Sequence, residues 1–345
     1  MQVAISMWSM GRKSSLFGFL LVLLWPMTLV AQERLRFVTY NVENLFDCKD
    51  DSLTHDEAFL PNSLRRWTSF RYWNKLHAVS QTLATIGDDR APEFVALCEV
   101  ENDSVLYDLT RRSPLRTARY EYLVTSSLDP RGIDVALLYR SELFKFKGCK
   151  SVRADVESAP NLQTRDYLLV WGEMGDSEVL FCVVHFPSRI GGVKQTEHLR
   201  MGCAKQVREI VDSAIRANSD RRVVILGDMN DNPNNRSIRK MLGAKRVGCR
   251  VESGRLYNLT ASGRAGSSVY DGRWNRYDNI VVSSNLLLSG NGLHVVMPKR
   301  NARVGYVQRF EYLIDERKYP KPTYQGGEYR GGVSDHLPIY MELER

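Results

Sequence analysis

The stretch ILGDMND at residues 225–231 ends an apolar segment in polar side chains that could do chemistry. Within this stretch Asp228 follows two apolar residues and a glycine, and Asn230 comes two positions later. Taken alone, such an ending is more often a turn, because Gly, Asp and Asn favour turn conformations. If the segment stays extended, its alternate side chains point the same way. Asp228 and Asn230 would then face one site at the end of a strand, where layered α/β proteins place their active sites.

Polar residues also border other apolar segments of the chain. They are Asn41 after LRFVTY, Glu99 after EFVALC, His185 after VLFCVV, Asp278 at the start of DNIVVS, and Asp335 with His336 before LPIYMEL. One such ending is typical of a turn, whereas six together form a candidate site. Carboxylates and amides without thiolates suit a hard cation such as Mg²⁺ or Mn²⁺. Histidines beside such a cation can contact a phosphate or move protons. This combination indicates metal-assisted attack of water on a phosphate ester.

These residues depend on strands to position them. Amphipathic spacing predicts helices over 74–86 and 197–215. Long segments without regular patterning are typical of functional or mobile loops. They cover 48–70, 253–277 and 298–334. Many strands with few helices favour two packed sheets with helices outside, rather than a Rossmann-type alternation. Runs rich in Val, Ile, Leu, Tyr and Phe predict strands at 35–40, 94–98, 121–125, 133–139, 167–172, 179–184, 222–227, 278–283 and 337–343.

The order of the motifs carries a resemblance to a known family. The chain contains, in this order, TYNVENLFD, ALCEVEN, RGIDVALLY, VVHFPSR, ILGDMNDNP, RYDNIVVS and SDHLPI. In that combination it resembles the endonuclease/exonuclease/phosphatase superfamily, the DNase I-like enzymes. The resemblance implies an α/β fold, a four-layered sandwich of two packed β-sheets flanked by helices, in one domain over residues 32–345. It also implies a metal-dependent hydrolase of phosphate esters that uses Mg²⁺ or Mn²⁺.

Matching positions in the family's motifs imply the residues of a metal site. Glu99 matches the principal metal-ligating glutamate, and Asn41 matches an asparagine near both the metal and the scissile phosphate. Asp335 matches the second acidic residue of the metal region. Glu43 lies where some members carry an acidic residue.

The resemblance implies catalytic roles for another set of residues. Asp228 matches the aspartate that orients or deprotonates the attacking water, and Asn230 matches its companion on the phosphate side. His185 matches a phosphate-contacting histidine. His336 matches the terminal histidine, and Asp278 the carboxylate that orients it.

Substrate contacts are expected from basic and aromatic side chains near these motifs. Arg131 in RGID and Arg189 in HFPSR are candidate phosphate clamps, because guanidinium groups bind phosphate in bidentate fashion. Trp274 is a candidate for a substrate-facing wall, for which the other aromatic candidates are Tyr270, Tyr277, Tyr324 and Tyr329.

Other polar residues are interpreted as structural. Asp134 starts an apolar strand, and Glu101 and Asn102 precede a short helical pattern that they can cap. The remaining histidines are more often satisfied polar residues than ligands; they are His55, His77, His198 and His294.

The first 31 residues predict a signal peptide. Arg12 and Lys13 precede a strongly apolar run that ends at Ala31, the arrangement of a secretory leader rather than a membrane anchor. The protein is therefore expected to be exported, to the periplasm or outside the cell, without stable membrane insertion after cleavage.

The chain has six cysteines, which could form disulfides in an exported protein. Cys98 and Cys182 lie in strand-like runs and are predicted to be core residues. Whether the others form disulfides is undecided; they are Cys48, Cys149, Cys203 and Cys249.

The amino-acid composition and net charge narrow the class of substrate only slightly. The formal charge is +8, and +6 remains after residue 31, because two of the 48 basic residues and none of the 40 acidic residues precede it. A mild positive charge suits an anionic partner. Export and charge favour a nuclease-like phosphodiesterase, with nucleic acid among the expected substrates. The alternatives are a phosphatase or phosphodiesterase acting on lipid head groups or small phosphorylated molecules, and a non-catalytic binding module.

Overall fold

The computed structural model describes residues 34–86, 90–248, 250–263, 265–288, 292–297 and 304–345. Glu33–Arg345 form one compact unit. The predicted signal peptide and Cys249 lie outside the described residues. Among the described helices, none combines the length and the apolar character needed to cross a membrane.

The described chain is built mainly from strands. Their bounds are β1 (Arg34–Leu45), β2 (Phe94–Val100), β3 (Tyr120–Val124), β4 (Asp134–Arg140), β5 (Lys145–Val152), β6 (Tyr167–Met174), β7 (Ser177–His185), β8 (Arg222–Asp228), β9 (Ala244–Arg246), β10 (Leu256–Asn258), β11 (Ser268–Tyr270), β12 (Arg273–Asn275), β13 (Asp278–Ser283), β14 (His294–Val295), β15 (Tyr306–Val307), β16 (Tyr324–Gln325), β17 (Glu328–Tyr329) and β18 (Ile339–Glu344). The α-helices are α1 (Ser69–Ile86), α2 (Asp103–Tyr107) and α3 (Val193–Ala217). Shorter helical turns lie at Glu57–Phe59, Asp108–Arg112, Pro114–Ala118, Ser237–Met241, Leu259–Ser262, Ser284–Leu286 and Glu311–Leu313.

The strands form two large mixed sheets and two small hairpins. The first sheet has the order β14-β18-β1-β2-β4-β3, with β15 also paired to β18, and the second has the order β5-β6-β7-β8-β13-β10-β9. The pairs β1–β2, β7–β8 and β9–β10 are parallel, and the other neighbours run antiparallel. The hairpins β11–β12 and β16–β17 stand apart from both sheets.

Three hydrophobic layers separate the sheets and helices. Between the sheets, Phe94 stacks on Phe37 of its own sheet at 4.5 Å and on Phe181 of the other at 5.1 Å between ring centroids. The outer face of the first sheet packs on α1, and the outer face of the second packs on α3. Burial on both faces explains why the central strands read as continuous apolar runs. The arrangement confirms the predicted four-layered α/β sandwich.

Some elements differ from the prediction at their ends or are absent from it. Helix α1 begins at Ser69, before the predicted position 74, and α3 extends over Val193–Ala217. Strand β5 was not predicted, because it is an exposed edge strand of sequence KFKGCKSV with few buried side chains. The last strand begins at Ile339 rather than at 337.

The described cysteines are reduced. Cys98 and Cys182 are buried in the core as predicted, and Cys203 is buried as well. Cys48 and Cys149 are also free, so none of these five thiols forms a disulfide.

Candidate active site

Three site residues lie side by side across the second sheet. His185 ends β7 and is the parallel register partner of Asp228, which ends β8. Asp228 is in turn the antiparallel partner of Asp278, the first residue of β13. Gly227 makes this row possible: its φ is 142°, and a Cβ there would lie 1.8 Å from the carbonyl oxygen of Val184. A side chain at this position would push β7 and β8 apart.

Asn41 joins the two sheets at the same place. It lies on β1, is 1% exposed, and its Nδ2 donates to Asp228 Oδ2 at 3.1 Å and to Glu99 Oε1 at 3.3 Å. Its Oδ1 accepts the backbone N–H of Glu43 at 2.9 Å. That bond fixes the amide orientation, since the reversed amide would place two donors face to face. Asn41 therefore acts here as a donor that orients two carboxylates, and its amide oxygen is bound to the backbone of Glu43.

Left-handed backbone conformations bring the acidic residues of the first sheet into the site. Glu43, Asn44 and Glu99 have φ values of 51°, 50° and 64°. They sit where the register of β1 against β2, and of β2 against β4, is interrupted. Such irregularities redirect side chains at the ends of strands, and the backbone N–H of Asn44 donates to Glu99 Oε2 at 3.0 Å. Backbone strain of this kind clusters at functional sites.

A buried lysine, which the sequence analysis missed, lies among these carboxylates. Lys75 of α1 is 2% exposed, and its Nζ donates to the carbonyl oxygen of Glu43, to Thr323 Oγ1 and to the carbonyl oxygen of Val333. Burial lowers the pKa of Lys75, and the negative charges of Glu43, Asp335 and Glu99 oppose that shift. The sequence signal was a lysine at the buried face of a helix, between Tyr72 and Val79.

Glu43 and Asp335 occupy different surroundings in this cluster. Glu43 Oε2 accepts the backbone N–H of Thr323 at 2.7 Å. Burial raises the pKa of Glu43 to about 7, since Lys75 offsets the burial only in part and Asp335 and Glu99 repel the carboxylate. The side chain of Asp335 is exposed. It therefore stands at the solvent side of the cluster.

His336 and Asp278 form a tight pair. His336 Nδ1 lies 2.7 Å from Asp278 Oδ2, and both residues are buried. Burial alone would lower the pKa of His336, but the carboxylates of Asp278 and Asp228 raise it well above its ordinary value. Its Nε2 lies 3.8 Å from Asp228 Oδ2.

The surroundings of His185 shift its pKa in the opposite direction. Its Nε2 lies 3.6 Å from Asp228 Oδ2 and 3.9 Å from Glu99 Oε1. Burial lowers the pKa of His185 well below its ordinary value, and the positive charges of Arg165 and Arg131 add to that effect. Arg165 was not predicted; it is buried and donates to Asp129 and to the carbonyl oxygen of Phe186.

Asp228 is the meeting point of these groups. Its pKa is raised to about 6, first by burial and also by Asp278, while the charge of His336 opposes the shift. It therefore remains ionised at neutral pH. Asn230, however, does not continue an extended strand: its φ is 50°, and its Nδ2 donates to the carbonyl oxygen of Phe186 at 3.0 Å. The expectation that Asp228 and Asn230 point together from an extended segment is wrong, because β8 ends at Asp228 and the chain turns.

The two predicted arginine clamps occupy different positions. Arg189 is bound to the loop after β8, where it donates to the carbonyl oxygen of Asn230 at 2.7 Å and to Asp231 Oδ1 at 2.6 Å. It also lies over the ring of Tyr277. Its guanidinium is thus committed to holding that loop, so we do not assign it to a phosphate. Arg131 is exposed and makes a looser contact with Asp129, at 3.7 Å, so it is available to a substrate.

Two of the irregular segments line a recess next to the metal region. The recess has a volume of about 660 Å³ and is lined by Val269 of the 253–277 segment and by residues of the 298–334 segment, and Asp335 lies at its edge. Trp274 pairs with Val269 across the β11–β12 hairpin and packs edge-on against Tyr319, which lines the recess. Tyr324 instead is buried, and its hydroxyl donates to the carbonyl oxygen of Arg65.

The donor set of the acidic cluster fits a hard divalent cation. The carboxylates of Glu43, Glu99 and Asp335 act together on the single ammonium group of Lys75, so the four groups sum to a charge of −2 when all are ionised. Oxygen donors without thiolates suit Mg²⁺ or Mn²⁺. These three carboxylates stay the predicted ligands, but their ligand atoms do not all lie within 4.8 Å of one another, since among the described residues the one group that tight is Asp228, Asp278 and His336.

A second set of potential ligands is less suitable. Asp228, Asp278 and His336 bring ligand atoms within 4.8 Å of one another. However, Nδ1 of His336 is bound to Asp278, so this ring nitrogen is not free to bind a cation.

Residues interpreted as structural occupy structural positions. Asp134 accepts hydrogen bonds from Thr125 and from the backbone of Ser127. Asn102 caps α2 by accepting the N–H of Val105, whereas Glu101 accepts the N–H of Asp47 instead of capping.

The sandwich recurs in solved structures. An endonuclease/exonuclease/phosphatase family protein from Bacteroides thetaiotaomicron has a TM-score of 0.56 and 18% identity, over 91% of this chain and 95% of that one. A mannosyl-6-phosphatase from the same organism has a TM-score of 0.55 and 18% identity, over 90% of this chain and 99% of that one. Danio rerio TDP2, solved with a single-strand DNA product, has a TM-score of 0.55 and 14% identity, over 90% of this chain and 99% of that one. At these identities the likeness establishes the fold.

Sequence comparison completes the assignment. Comparison with curated proteins gives no match. Residues 36–345 match the family described as Endonuclease/Exonuclease/phosphatase. With nearly the whole folded chain covered, the protein belongs to the endonuclease/exonuclease/phosphatase family.

Proposed function

We propose that the protein hydrolyses phosphate esters with the help of a divalent cation, Mg²⁺ or Mn²⁺. The observation that carries the proposal is the convergence of three nitrogen atoms on one carboxylate oxygen. Asp228 Oδ2 lies 3.1 Å from Asn41 Nδ2, 3.6 Å from His185 Nε2 and 3.8 Å from His336 Nε2. An ionised carboxylate and a cationic histidine side by side can accept a proton from water and stabilise an anionic phosphate.

Each group has a distinct task in this scheme. Asp228 accepts a proton from the attacking water as the water oxygen bonds to phosphorus and the ester P–O bond breaks, and the departing ester oxygen takes a proton from solvent and leaves as the alcohol. His336 donates from Nε2 to a phosphate oxygen, and Asp278 keeps its ring oriented through Nδ1. When bound by Glu43, Glu99 and Asp335, the cation supplies charge neutralisation on the phosphate.

The substrate is proposed to bind across the recess beside Asp335. The recess carries both signs of charge, with Asp315 and Glu316 as well as Arg317 and Lys321 among its lining residues. The mixed charge of this recess favours a small polar phosphate ester over a long nucleic acid, which would need a continuous basic surface. A phosphatase acting on small phosphorylated molecules is therefore the first candidate, and the nuclease-like phosphodiesterase expected from the sequence is the second. The net positive charge of the chain supports the latter.

A substrate panel tests both candidates. The purified protein is assayed on p-nitrophenyl phosphate, sugar phosphates, bis-p-nitrophenyl phosphate, sphingomyelin, RNA and plasmid DNA, each with Mg²⁺, Mn²⁺ or EDTA. Metal-dependent hydrolysis of the monoesters supports a phosphatase, and preference for the polymers supports a nuclease. A protein that binds these compounds without hydrolysing any of them would instead be a binding module.

Export is a further proposal, supported by the basic and apolar residues before Ala31. Expression of the full chain in a Gram-negative host, followed by fractionation and N-terminal sequencing, tests it. A mature N-terminus close to residue 32 in the periplasm or medium is the expected result. An intact Met1 in the cytoplasm would contradict it.

A further inference from the structure

We propose that Ser267, together with water held in a cavity beside Asp278, positions the pair of His336 and Asp278. The inference rests on the proposed function, because that function gives the pair its contact with the phosphate. Ser267 is a positioning residue here, since it acts through Asp278 and does not touch the reacting atoms. It lies just before β11 and belongs to none of the motifs that carry the family resemblance.

Ser267 is bonded to the main chain of both partners in the pair. Its Oγ accepts the backbone N–H of Asp278 in a long hydrogen bond of 3.4 Å. Its carbonyl oxygen accepts the backbone N–H of Leu337, next to His336, at 2.6 Å. The neighbouring Ser268 forms an antiparallel bridge with His336 itself. A shift of Ser267 would therefore change how Asp278 and His336 meet.

The carboxylate of Asp278 is held at one oxygen by the described residues. Oδ2 lies 2.7 Å from His336 Nδ1, whereas Oδ1 is buried and accepts no hydrogen bond from the described part of the chain. A buried carboxylate oxygen without a donor is costly. The χ2 angle of an aspartate has a broad energy minimum, so one bonded oxygen fixes the carboxylate plane poorly. A donor to Oδ1 would remove the cost and hold the plane.

Asp278 also lines a cavity of about 130 Å³ that shares no described lining residue with the substrate recess. Ser267 lines the cavity as well, and Thr260 and Arg276 add further polar side chains. About 10–15 Å³ of such space is enough for one water, and ordered water fills polar cavities whereas apolar ones stay dry. The oxygen that lacks a donor and a space that suits water thus meet at one residue.

These observations give the hydroxyl of Ser267 a defined task. A serine hydroxyl has one proton to donate and two lone pairs that accept. One lone pair of Ser267 accepts the N–H of Asp278, and its proton is donated to the cavity water, which in turn donates to Asp278 Oδ1. The carboxylate is then held at both oxygens. Asp278 can therefore fix the tautomer and orientation of His336, whose Nε2 contacts the phosphate.

A crystal structure of the full chain that shows ordered water tests the site itself. We expect a water within hydrogen-bond distance of both Ser267 Oγ and Asp278 Oδ1. A cavity without water, or a water bonded to neither atom, would overturn the proposal. This result does not depend on hydrolysis, so it is separate from the substrate panel that tests the proposed function.

Proton NMR and kinetics test the positioning. The proton between His336 Nδ1 and Asp278 should give a resonance far downfield of the amide region, which Ser267→Ala should shift or broaden. With Ser267→Ala, kcat should fall about tenfold with little change in KM, less than the about 10²- to 10⁴-fold of a lost acid–base group. Ser267→Thr keeps the hydroxyl and should keep both readouts. Ser80→Ala is the matched control, because Ser80 is also buried but donates to His77 within α1.

A cavity-filling variant separates the water from the serine. Val307 lines the cavity and is half-buried, so Val307→Phe should displace the water while it leaves the hydroxyl of Ser267 in place. It should shift the downfield resonance as Ser267→Ala does, whereas Val193→Phe, at an exposed position of α3, should not. An unchanged resonance in Val307→Phe would remove the water from the proposal. Wild-type kcat and resonance in Ser267→Ala, with a lowered melting temperature, would show that Ser267 only stabilises the fold.

Discussion

The amide of Asn41 on the first sheet donates to the carboxylate of Asp228 on the second sheet, at 3.1 Å. This hydrogen bond crosses the interface between the sheets at the point where the catalytic groups meet. The reaction thus depends on the packing of the two sheets, because neither sheet carries a complete site. The hydrophobic layer that contains Phe37, Phe94 and Phe181 sets the spacing that the bond requires.

Replacement of Asp228 by Asn should remove the proton acceptor while keeping the local turn. Asn suits turns as well as Asp does, and general-base catalysis is worth about 10²- to 10⁴-fold in rate. We expect kcat to fall by that factor with Mg²⁺ at saturation, with little change in the melting temperature. Asp220→Asn, at an exposed position, is the matched control. Undiminished kcat in Asp228→Asn would assign Asp228 to the turn alone.

Hydrolysis should depend both on the divalent cation in the buffer and on the carboxylate of Glu99. EDTA should abolish hydrolysis, and added Mg²⁺ or Mn²⁺ should restore it. Glu99→Gln removes one anionic ligand, so the Mg²⁺ concentration for half-maximal activity should rise by at least tenfold, the order seen when even a supporting partner is lost. Titration of activity against Mg²⁺ measures this, with the exposed Glu142→Gln as control. An unchanged titration curve would remove Glu99 from the metal site.

Loss of the buried ammonium group of Lys75 should destabilise the fold. Lys75→Met removes the positive charge that acts on Glu43, Glu99 and Asp335. It also leaves the buried carbonyl oxygen of Val333 without its donor, and such an unsatisfied group costs about 1–3 kcal/mol. Because a divalent cation would replace the missing charge, added Mg²⁺ should recover part of the loss. Urea unfolding with and without Mg²⁺ measures both effects, and the exposed Lys150→Met provides the comparison. Equal stability of Lys75→Met and wild type would show that the cluster needs no internal cation.

Two aromatic residues that the sequence placed in one substrate wall should behave differently. Trp274 adjoins the recess through Tyr319, so Trp274→Ala should change the ratio of kcat/KM between substrates with large and small leaving groups. Tyr324 is buried against Trp67, so Tyr324→Ala should cost stability, about 3 kcal/mol or more for a buried aromatic. Substrate ratios and melting temperatures for both variants separate the roles. Matching effects in the two variants would contradict this division.

Residue type and position along strands predicted two packed sheets and a group of polar strand ends, whereas the resemblance to the family implied the four-layered sandwich and the roles of the site residues, which stay predictions. Apolar runs identified the central strands because these are buried on both faces. Polar residues at the strand ends, such as His185, Asp228 and Asp278, fall in one row because those strands are neighbours.

The contacts made by individual side chains could not be predicted in the same way. Lys75 looked like an ordinary helix residue, since nothing in its own segment shows which carboxylates approach it from β1 and the loop before β18. Arg189 matched a phosphate-binding motif, but its partners Asn230 and Asp231 lie over forty positions away. The left-handed turn at Asn230 also escaped prediction, because backbone conformation after a strand depends on what the loop packs against.

The left-handed residues of β1 and β2 carry a lesson for protein design. Glu43, Asn44 and Glu99 reach the cation region through the path of the main chain and not through long side chains. A transplant of the acidic side chains alone onto another sandwich protein would leave them on regular pleated strands, pointing alternately to opposite faces. A successful graft must copy the two strand interruptions together with the residues they carry.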